Sequence, residues 1–298
     1  MEKVFAVVVT FNGLRWLDRC IGSLLSSEMP VSVIVVDNAS TDGTPERIAA
    51  DFPDVHLIRS DVNYGFAKAN NIGIRFAYDS GADYVFLLNQ DAWVEKNTVP
   101  VLVECAVRHA EAGIVSPIHM NGEGTALDWG FSGHVPVEFV SDSFMSNLAD
   151  CYQCDFINAA AWLIKRSCLE KVGGFDTSLF VHYGEDSNWC HRLKYHGLKL
   201  MISTHCYVFH DREIRKGQEA EYRQSVFSQD GLTRRLEFAD IRHDIDINGF
   251  IKSANRSMYK SYFKLRFAQA AKLKKEVEFF TKVKTSREIN KNGGLCWL

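Results

Sequence analysis

Asp83-Tyr-Val-Phe-Leu-Leu-Asn-Gln-Asp91 reads as a buried apolar strand, Tyr84 to Leu88, running straight into three polar residues. Such a strand delivers two oxygen-bearing side chains, Asn89 and Asp91, to its carboxyl end. In open α/β sheets the ligand crevice lies outside the carboxyl ends of the strands. Oxygen ligands at that place suit a hard divalent cation that also holds a diphosphate. Two earlier apolar runs end in the same way, Phe5–Val9 at Thr10-Phe11-Asn12 and Val33–Val36 at Asp37-Asn38. Three polar strand ends on one rim are the makings of a nucleotide site.

Around these strands the pattern alternates strand and helix, which predicts a parallel sheet with right-handed crossovers. Leu14, Leu17, Ile21, Leu24 and Leu25 fall at helical spacing. Thr44-Pro45-Glu46 opens the next helix, with Pro at its first position behind a Thr cap. His56–Arg59 and Ile114–Ser116 read as strands, and Asn70 to Tyr78 and Asn97 to His109 as helices. From about Asn121 to Cys154 the pattern turns irregular, as in a long substrate loop or hairpin insertion. Phe156–Ile164 then reads as a strand leading into a short helix near Cys168–Val172. Glu185 to His196 is helical and stopped by Gly197, with short strands at Leu200–Ser203 and Tyr207–Phe209. The expected division is a catalytic body over 1–245, split into a nucleotide-binding half (1–116) and an acceptor-binding half (117–245), with a helical tail over 246–298.

The 298 residues are 46% apolar and 12% aromatic, enough for one large core or a core with a small appendage. A formal net charge of −3 argues against a nucleic-acid binder. Ile251 to Leu298 carries twelve Lys/Arg against three Asp/Glu, a local +9 that leaves −12 for the rest. In this tail Tyr259, Tyr262, Phe263, Phe267, Ala270, Leu273, Val277 and Phe280 recur at helical spacing between the basic residues. The pattern fits a helix packed on the body, or one whose lysines face an anionic membrane surface. A second copy of the chain stays open as a partner.

Val4 to Val9 is strand-length rather than a signal peptide, and no apolar run approaches about 18 residues, so no membrane span is expected. Eight scattered cysteines fit reduced thiols in a cytoplasmic enzyme. Cys151-Tyr-Gln-Cys154 has the spacing of half a zinc site but lacks a second half, and buried small cysteines are the plainer reading.

Asp37 at its strand end can accept hydrogen bonds from a base imide or a ribose, and Ser40, Thr41 and Asp42 supply turn chemistry. An ordinary Asx turn fits the same residues. Glu185-Asp186 opens a helix, where the backbone dipole favours ionised carboxylates. Trp129, Trp162 and Trp189 are aromatic platforms for a sugar or, by default, core residues. His182 precedes Glu185 with no role assigned to it.

Taken in order, Val4–Asn12, Val33–Thr44, Asn63–Ile74, Leu87–Asp91, Val172–Asp176, Gly184–Asp186 and Cys190–Leu193 resemble the family 2 inverting glycosyltransferases over roughly residues 3–212. Asn63-Tyr-Gly-Phe-Ala67 with Asn70, and Leu-Leu-Asn-Gln-Asp91, resemble the bacterial rhamnosyltransferase branch. The resemblance implies a GT-A fold: α/β, Rossmann-like, with a mostly parallel central sheet flanked by helices, here followed by a C-terminal helical extension. It implies that Thr10, Asn12, Asp37, Asn38, Asn63, Gly65, Asn70, Asn89 and Asp91 bind a nucleotide-diphosphate sugar.

It further implies that Mg²⁺ or Mn²⁺ is held by Asp91, Asn89 and His210. The family usually has Asp at both ends of the metal triplet, so Asn89 removes one charge from the site. Asp186 is expected as the base that takes a proton from the acceptor hydroxyl, with Glu185 orienting it or meeting the acceptor. Asp211, Arg212 and Arg215 would belong to a loop closing over the diphosphate. The expected reaction moves rhamnose from dTDP-rhamnose to a saccharide or lipid-linked acceptor of cell-surface polysaccharide, at the cytoplasmic face of the membrane. A UDP-sugar donor (galactofuranose, glucose or an N-acetylhexosamine) is the alternative within the class. A sugar nucleotidyltransferase would carry a Gly-rich basic loop after the first strand, and Thr10-Phe-Asn-Gly-Leu-Arg15 has one Gly. A non-catalytic carbohydrate-binding protein would have no need of Asp37, Asp91 and Asp186 together.

Overall fold

The computed structural model describes residues 2–181, 183–212 and 231–298. His182 and Arg215 lie outside the described residues. The strands are β1 (Val4–Thr10), β2 (Val31–Asp37), β3 (His56–Arg59), β4 (Tyr84–Asn89), β5 (Ala92–Val94), β6 (Ala112–Asn121), β7 (Cys151–Cys154), β8 (Ala161–Lys165) and β9 (Lys199–His210). They form one sheet in the order β3-β2-β1-β4-β8-β6-β9-β5, with β7 pairing β9 beside that path. β3, β2, β1 and β4 are mutually parallel, and β6 is parallel to β9. β8 runs antiparallel between β4 and β6, while β5 and β7 run antiparallel to β9. The carboxyl ends of β1, β2, β4, β6 and β9 therefore share one rim. The boundary expected at residue 116 falls inside β6, so both halves of the body share this sheet.

Both faces of the sheet are covered, which is why its central strands read as unbroken apolar runs. Strand alternation sends Val7, Val36, Val85 and Leu87 to one core and Val8, Val35, Phe86 and Leu88 to the other. Helices α1 (Leu17–Leu25), α2 (Thr44–Asp51) and α4 (Thr98–Arg108) close the second core. The first is closed by α3 (Gly65–Asp79), α5 (Trp129–Ser132), α6 (Val137–Phe144), α7 (Arg166–Val172) and α8 (Glu185–Tyr195). Burying Phe86 or Leu87 contributes roughly 1.5–3 kcal/mol each.

The run Val172–Asp176 proves to be structural. Buried Arg192 donates to the carbonyls of Val172 (2.8 Å) and Gly174 (2.6 Å), and Trp189 Nε1 to that of Gly173 (3.1 Å). Asp176 is fully buried, and its Oδ2 accepts from Ser286 Oγ at 2.5 Å. That bond ties the tail to the body.

The tail comprises α9 (Leu232–Ala239), α10 (Ile247–Phe263) and α11 (Phe267–Asn292). Where the apolar pattern suggested one continuous amphipathic helix, Leu265 at φ +54° breaks it into an α10–α11 hairpin. The far end of α11 is part of the body: Arg287 donates to the carbonyls of Phe238, Asp240 and His243, and Asn290 receives Trp297 Nε1 at 2.7 Å. The turn end projects, with Tyr259, Phe263, Leu265 and Phe267 exposed.

Other local expectations also shift. Gly43, at φ +90°, is the N-cap of α2 rather than Thr44, whose hydroxyl donates to Asp42 and accepts from the Gly13 N–H. α3 begins at Gly65, five residues early, because Asn38 and Asn63 hold its entry from across the chain. The expected strand at Phe156–Ile164 is ordered as a strand only from Ala161, and the two short strands at 200–209 are one, β9. Residues 121–154 contain α5, α6 and β7 rather than irregular chain alone. Cys151 and Cys154 sit three apart on a strand and so face opposite ways, which rules out chelation by that pair.

Candidate active site

At the shared rim, Asn89 closes β4 and Asp91 follows two residues later. β5 pairs with β9 in a register that sets Ala92 opposite His210. Asp91 therefore lands beside His210, whose Nε2 is 3.3 Å from Asp91 Oδ1 and 3.4 Å from Asn89 Nδ2. The three expected metal ligands converge. Behind them, His210 Nδ1 faces the buried Asp128 carboxylate at 3.7 Å, and Asp128 accepts from Arg212 Nε at 2.7 Å. A carboxylate behind an imidazole orients the ring and leaves the other nitrogen to the site.

One carboxylate oxygen, one imidazole nitrogen and, once its side chain turns, the Asn89 amide oxygen fit a divalent cation. The imidazole favours Mn²⁺ over the all-oxygen preference of Mg²⁺. Gln90, between the two, holds the loop after β1 by accepting from the Phe11 N–H (2.9 Å) and donating to the Phe11 carbonyl (3.2 Å).

A cavity of about 340 Å³ opens here, lined by Asn38, Asn63, Gly65, Asn70, Asn89 and Asp91 among others. Asn38 Nδ2 donates to Asn63 Oδ1 at 2.7 Å, and Asn38 Oδ1 accepts from the Tyr64 N–H at 2.7 Å, so the two amides brace the wall. Thr10, Asn12 and Asp37 do not line it. Asp37 is buried, accepting from Thr10 Oγ1 (3.0 Å) and the Ser40 N–H (3.0 Å). Asn12, at φ +50°, accepts from the Thr41 N–H at 2.9 Å. These three residues lace the first two strand-end loops together.

Asp186 lines a different cavity, of about 470 Å³, with His134, Phe156, Tyr183, His191 and Leu232. Asp37, Asp91 and Asp186, which the resemblance assigns to one active site, share no cavity among the described residues. The segment 155–160 divides the space: Asp155 and Phe156 line the Asp186 cavity, and Ala159 lines the other. Within it, the amide atoms of Asn158 are buried without a hydrogen-bond partner, a cost of about 1–3 kcal/mol that a polar ligand would relieve. Asn158 Nδ2 and Arg212 Nη2 both crowd Gly130, within 3.1 and 2.7 Å of where its Cβ would stand. Arg212 thus stands between Asp128, behind the metal ligands, and Asp186, whose carboxyl feels its charge.

Gly184 makes the turn into α8. Its φ of +87° and the 2.7 Å from a would-be Cβ to Leu232 Cδ1 leave room for no other residue. Burial pushes the half-buried Asp186 carboxyl above the ordinary carboxylate range, opposed by the Ser187 N–H at 2.7 Å and by the Arg212 charge. Glu185, buried with Oε2 unpartnered, is also pushed up, by burial first and then by the Asp186 charge. Two adjacent carboxyls in such a place favour one staying neutral while the other ionises. Trp162 and Trp189 are fully buried, with ring centroids 5.6 Å apart, so they are core residues.

Three site residues escaped the sequence reading. Phe11 lines the Asn-walled cavity with an exposed ring, Asp128 backs His210, and Asn158 sits in the partition. Asp128 carried a usable signal, a helix-capping Asp before Trp129, confirmed by its acceptance of the Phe131 N–H. Asn158 carried none.

Comparison with known proteins places the chain among glycosyltransferases. The chain is 27% identical over 248 residues to the N-acetylglucosaminyl-diphospho-decaprenol L-rhamnosyltransferase of Mycobacterium tuberculosis, covering 74% of this chain and 80% of that one. It is 27% identical over 208 residues to the dTDP-rhamnosyl transferase RfbF of Shigella flexneri, covering 67% and 66%. Among solved structures, GalNAc-T7 with UDP, GalNAc and Mn²⁺ matches with a TM-score of 0.56 at 17% identity, over 71% of this chain and 44% of that one. That match shows the GT-A fold. The model of Glycosyl transferase family 2 matches residues 5–173, more than half of the sequence, and the chain belongs to that family.

Proposed function

We propose that this enzyme is an inverting, cation-dependent rhamnosyltransferase that uses dTDP-rhamnose and a lipid-linked saccharide acceptor in cell-surface polysaccharide synthesis. The observation that carries the reading is the convergence of Asn89, Asp91 and His210 beside an Asn-lined cavity. The named activities of the two curated relatives favour rhamnose. Asn38, Asn63 and Asn70 hold the nucleotide, on loops fixed by Thr10, Asn12 and Asp37. Asp91, Asn89 and His210 hold Mn²⁺ or Mg²⁺, which when bound neutralises the departing diphosphate.

The acceptor enters by the α8 cavity. Asp186 takes the proton of its hydroxyl as that oxygen attacks the anomeric carbon from the face opposite the diphosphate. The bond to the diphosphate breaks, and the anomeric carbon inverts. Glu185 keeps its proton and leaves Asp186 as the ionised member of the pair. Arg212, held by Asp128 and acting on Asp186 through its charge, meets the diphosphate end of the donor. A panel of nucleotide sugars scored by thermal shift with Mn²⁺ tests the donor, because bound ligand raises Tm by mass action. dTDP-rhamnose is expected to give the largest rise, and a larger rise with a UDP-sugar would overturn the donor assignment.

The same proposal places the enzyme on the cytoplasmic face of an anionic membrane through the α10–α11 turn. No described helix is long and apolar enough to cross a membrane. Residues 251–275 hold eight Lys/Arg and no Asp/Glu, around exposed Tyr259, Tyr262, Phe263, Leu265 and Phe267. Aromatic and basic side chains mixed in this way suit the headgroup layer. The tip stands about 14 Å along α11 beyond Glu276, which pairs with Arg234 of α9. Leu232 and Leu236 of α9 line the Asp186 cavity, so a docked tip brings a lipid-linked acceptor within reach of the base.

A further inference from the structure

At the opposite rim, where α4 ends and β6 begins, Cys105, His109 and Cys151 come together. Cys105 and His109 are four apart and project from one face at the end of α4, and Cys151 opens β7. Their donor atoms all lie within 4.8 Å of one another, with Cys151 Sγ 3.0 Å from His109 Nε2. A tetrahedral zinc ion with bonds of roughly 2.3 Å to sulfur and 2.0–2.1 Å to nitrogen needs its ligand atoms some 3.5–3.8 Å apart. These three reach that spacing by small side-chain adjustments. His109 Nδ1 faces Glu111 Oε1 at 3.9 Å, the kind of carboxylate that backs metal-bound histidines. A cavity of about 340 Å³, lined by Cys105 and His109 with Arg108, Asp150, Ser203 and His205, leaves a fourth position open to water.

We propose that Cys105, His109 and Cys151 bind one Zn²⁺ ion, outside the catalytic site, as a clasp between α4 and β7. Two thiolates and a neutral imidazole make the loaded site electrically neutral, which suits its partial burial. Each thiol gives up its proton to solvent on binding, with no change of oxidation state. The clasp fastens the 121–154 excursion, which forms α5, α6 and the Asp128 carboxylate, onto the sheet. Cys154, which the sequence spacing set beside Cys151 and which reads more plainly as a buried cysteine, takes no part: its Sγ is buried against the Leu200 carbonyl at 3.8 Å.

The test uses the full chain, reduced and stripped by a chelator, then titrated with Zn²⁺ and with Co²⁺ as a spectroscopic probe. One equivalent is expected to give a thiolate-to-Co²⁺ charge-transfer band that the oxygen and imidazole ligands at 89, 91 and 210 cannot produce. Cys151→Ser and His109→Ala should each weaken Zn²⁺ at least about 100-fold, since losing a direct ligand costs no less than losing a backing partner. Cys154→Ser should leave the affinity unchanged, and Zn²⁺ should raise Tm of the parent more than that of Cys151→Ser. Absence of the charge-transfer band, or equal Zn²⁺ affinity in the parent and Cys151→Ser, overturns the proposal. So does a Cys105–Cys151 disulfide found by mass in the protein as isolated from the cytoplasm.

Discussion

With Asp186 as the proposed base, its replacement by asparagine should separate proton removal from binding. The Ser187 N–H that bonds Asp186 Oδ1 at 2.7 Å finds the same acceptor in the Asn amide oxygen, so α8 keeps its first turn. The substitution removes the capacity to accept a proton and leaves the Asn-lined cavity untouched, because Asp186 lines the other one. A positioned general base contributes about 10²–10⁴-fold, which is about 2.7–5.4 kcal/mol of barrier at 1.36 kcal/mol per tenfold. The expected result is kcat down by that factor, with dTDP-rhamnose affinity in Mn²⁺ within about twofold of wild type by calorimetry. dTDP release coupled to acceptor consumption gives the rate. Wild-type kcat in Asp186→Asn would refute the base assignment, and a loss confined to donor affinity would place Asp186 on the nucleotide instead.

Glu185 offers a stability readout. Its folded-state pKa lies above the unfolded value, so the native chain holds an extra proton as pH rises from about 4. Stability then falls through that window and levels above the folded pKa. Glu185→Gln should flatten that decline and raise Tm in alkaline buffer, with little change near pH 4; an unaltered pH slope would argue that Glu185 is not buried as described. Phe263→Asp with Leu265→Asp should abolish cosedimentation with phosphatidylglycerol vesicles while soluble-acceptor turnover persists, and retained binding would move the membrane contact elsewhere. Gly73→Ala places a Cβ 2.3 Å from Val7 Cγ1. It should cost about 1–3 kcal/mol in urea unfolding, and no change would mean that α3 can lift off the sheet.

The buried strands β1, β2 and β4 were legible because each is a short apolar run ending in polar residues. β5 was not. Ala92–Val94 is three residues long, and nothing local marks it as a partner of β9. Since that pairing brings His210 to Asp91, only resemblance could supply the third ligand. α3 starts early because Asn38, 26 residues before Tyr64, holds its entry, a tertiary cap that periodicity does not see. The tail pattern ran through the break at Leu265 because apolar spacing continues across it while the backbone turns. The division into two cavities comes from the path of residues 155–160, whose buried Asn158 looks like any loop residue in the sequence.

The proposal that Asp91, Asn89 and His210 hold a cation bound to the donor diphosphate is most directly tested by dTDP calorimetry with and without Mn²⁺ on wild type, Asp91→Ala and His210→Ala. Wild type is predicted to bind dTDP about 10–100-fold tighter with Mn²⁺, and each variant to lose that enhancement while keeping its metal-free affinity. Undiminished Mn²⁺ enhancement in both variants would contradict the site.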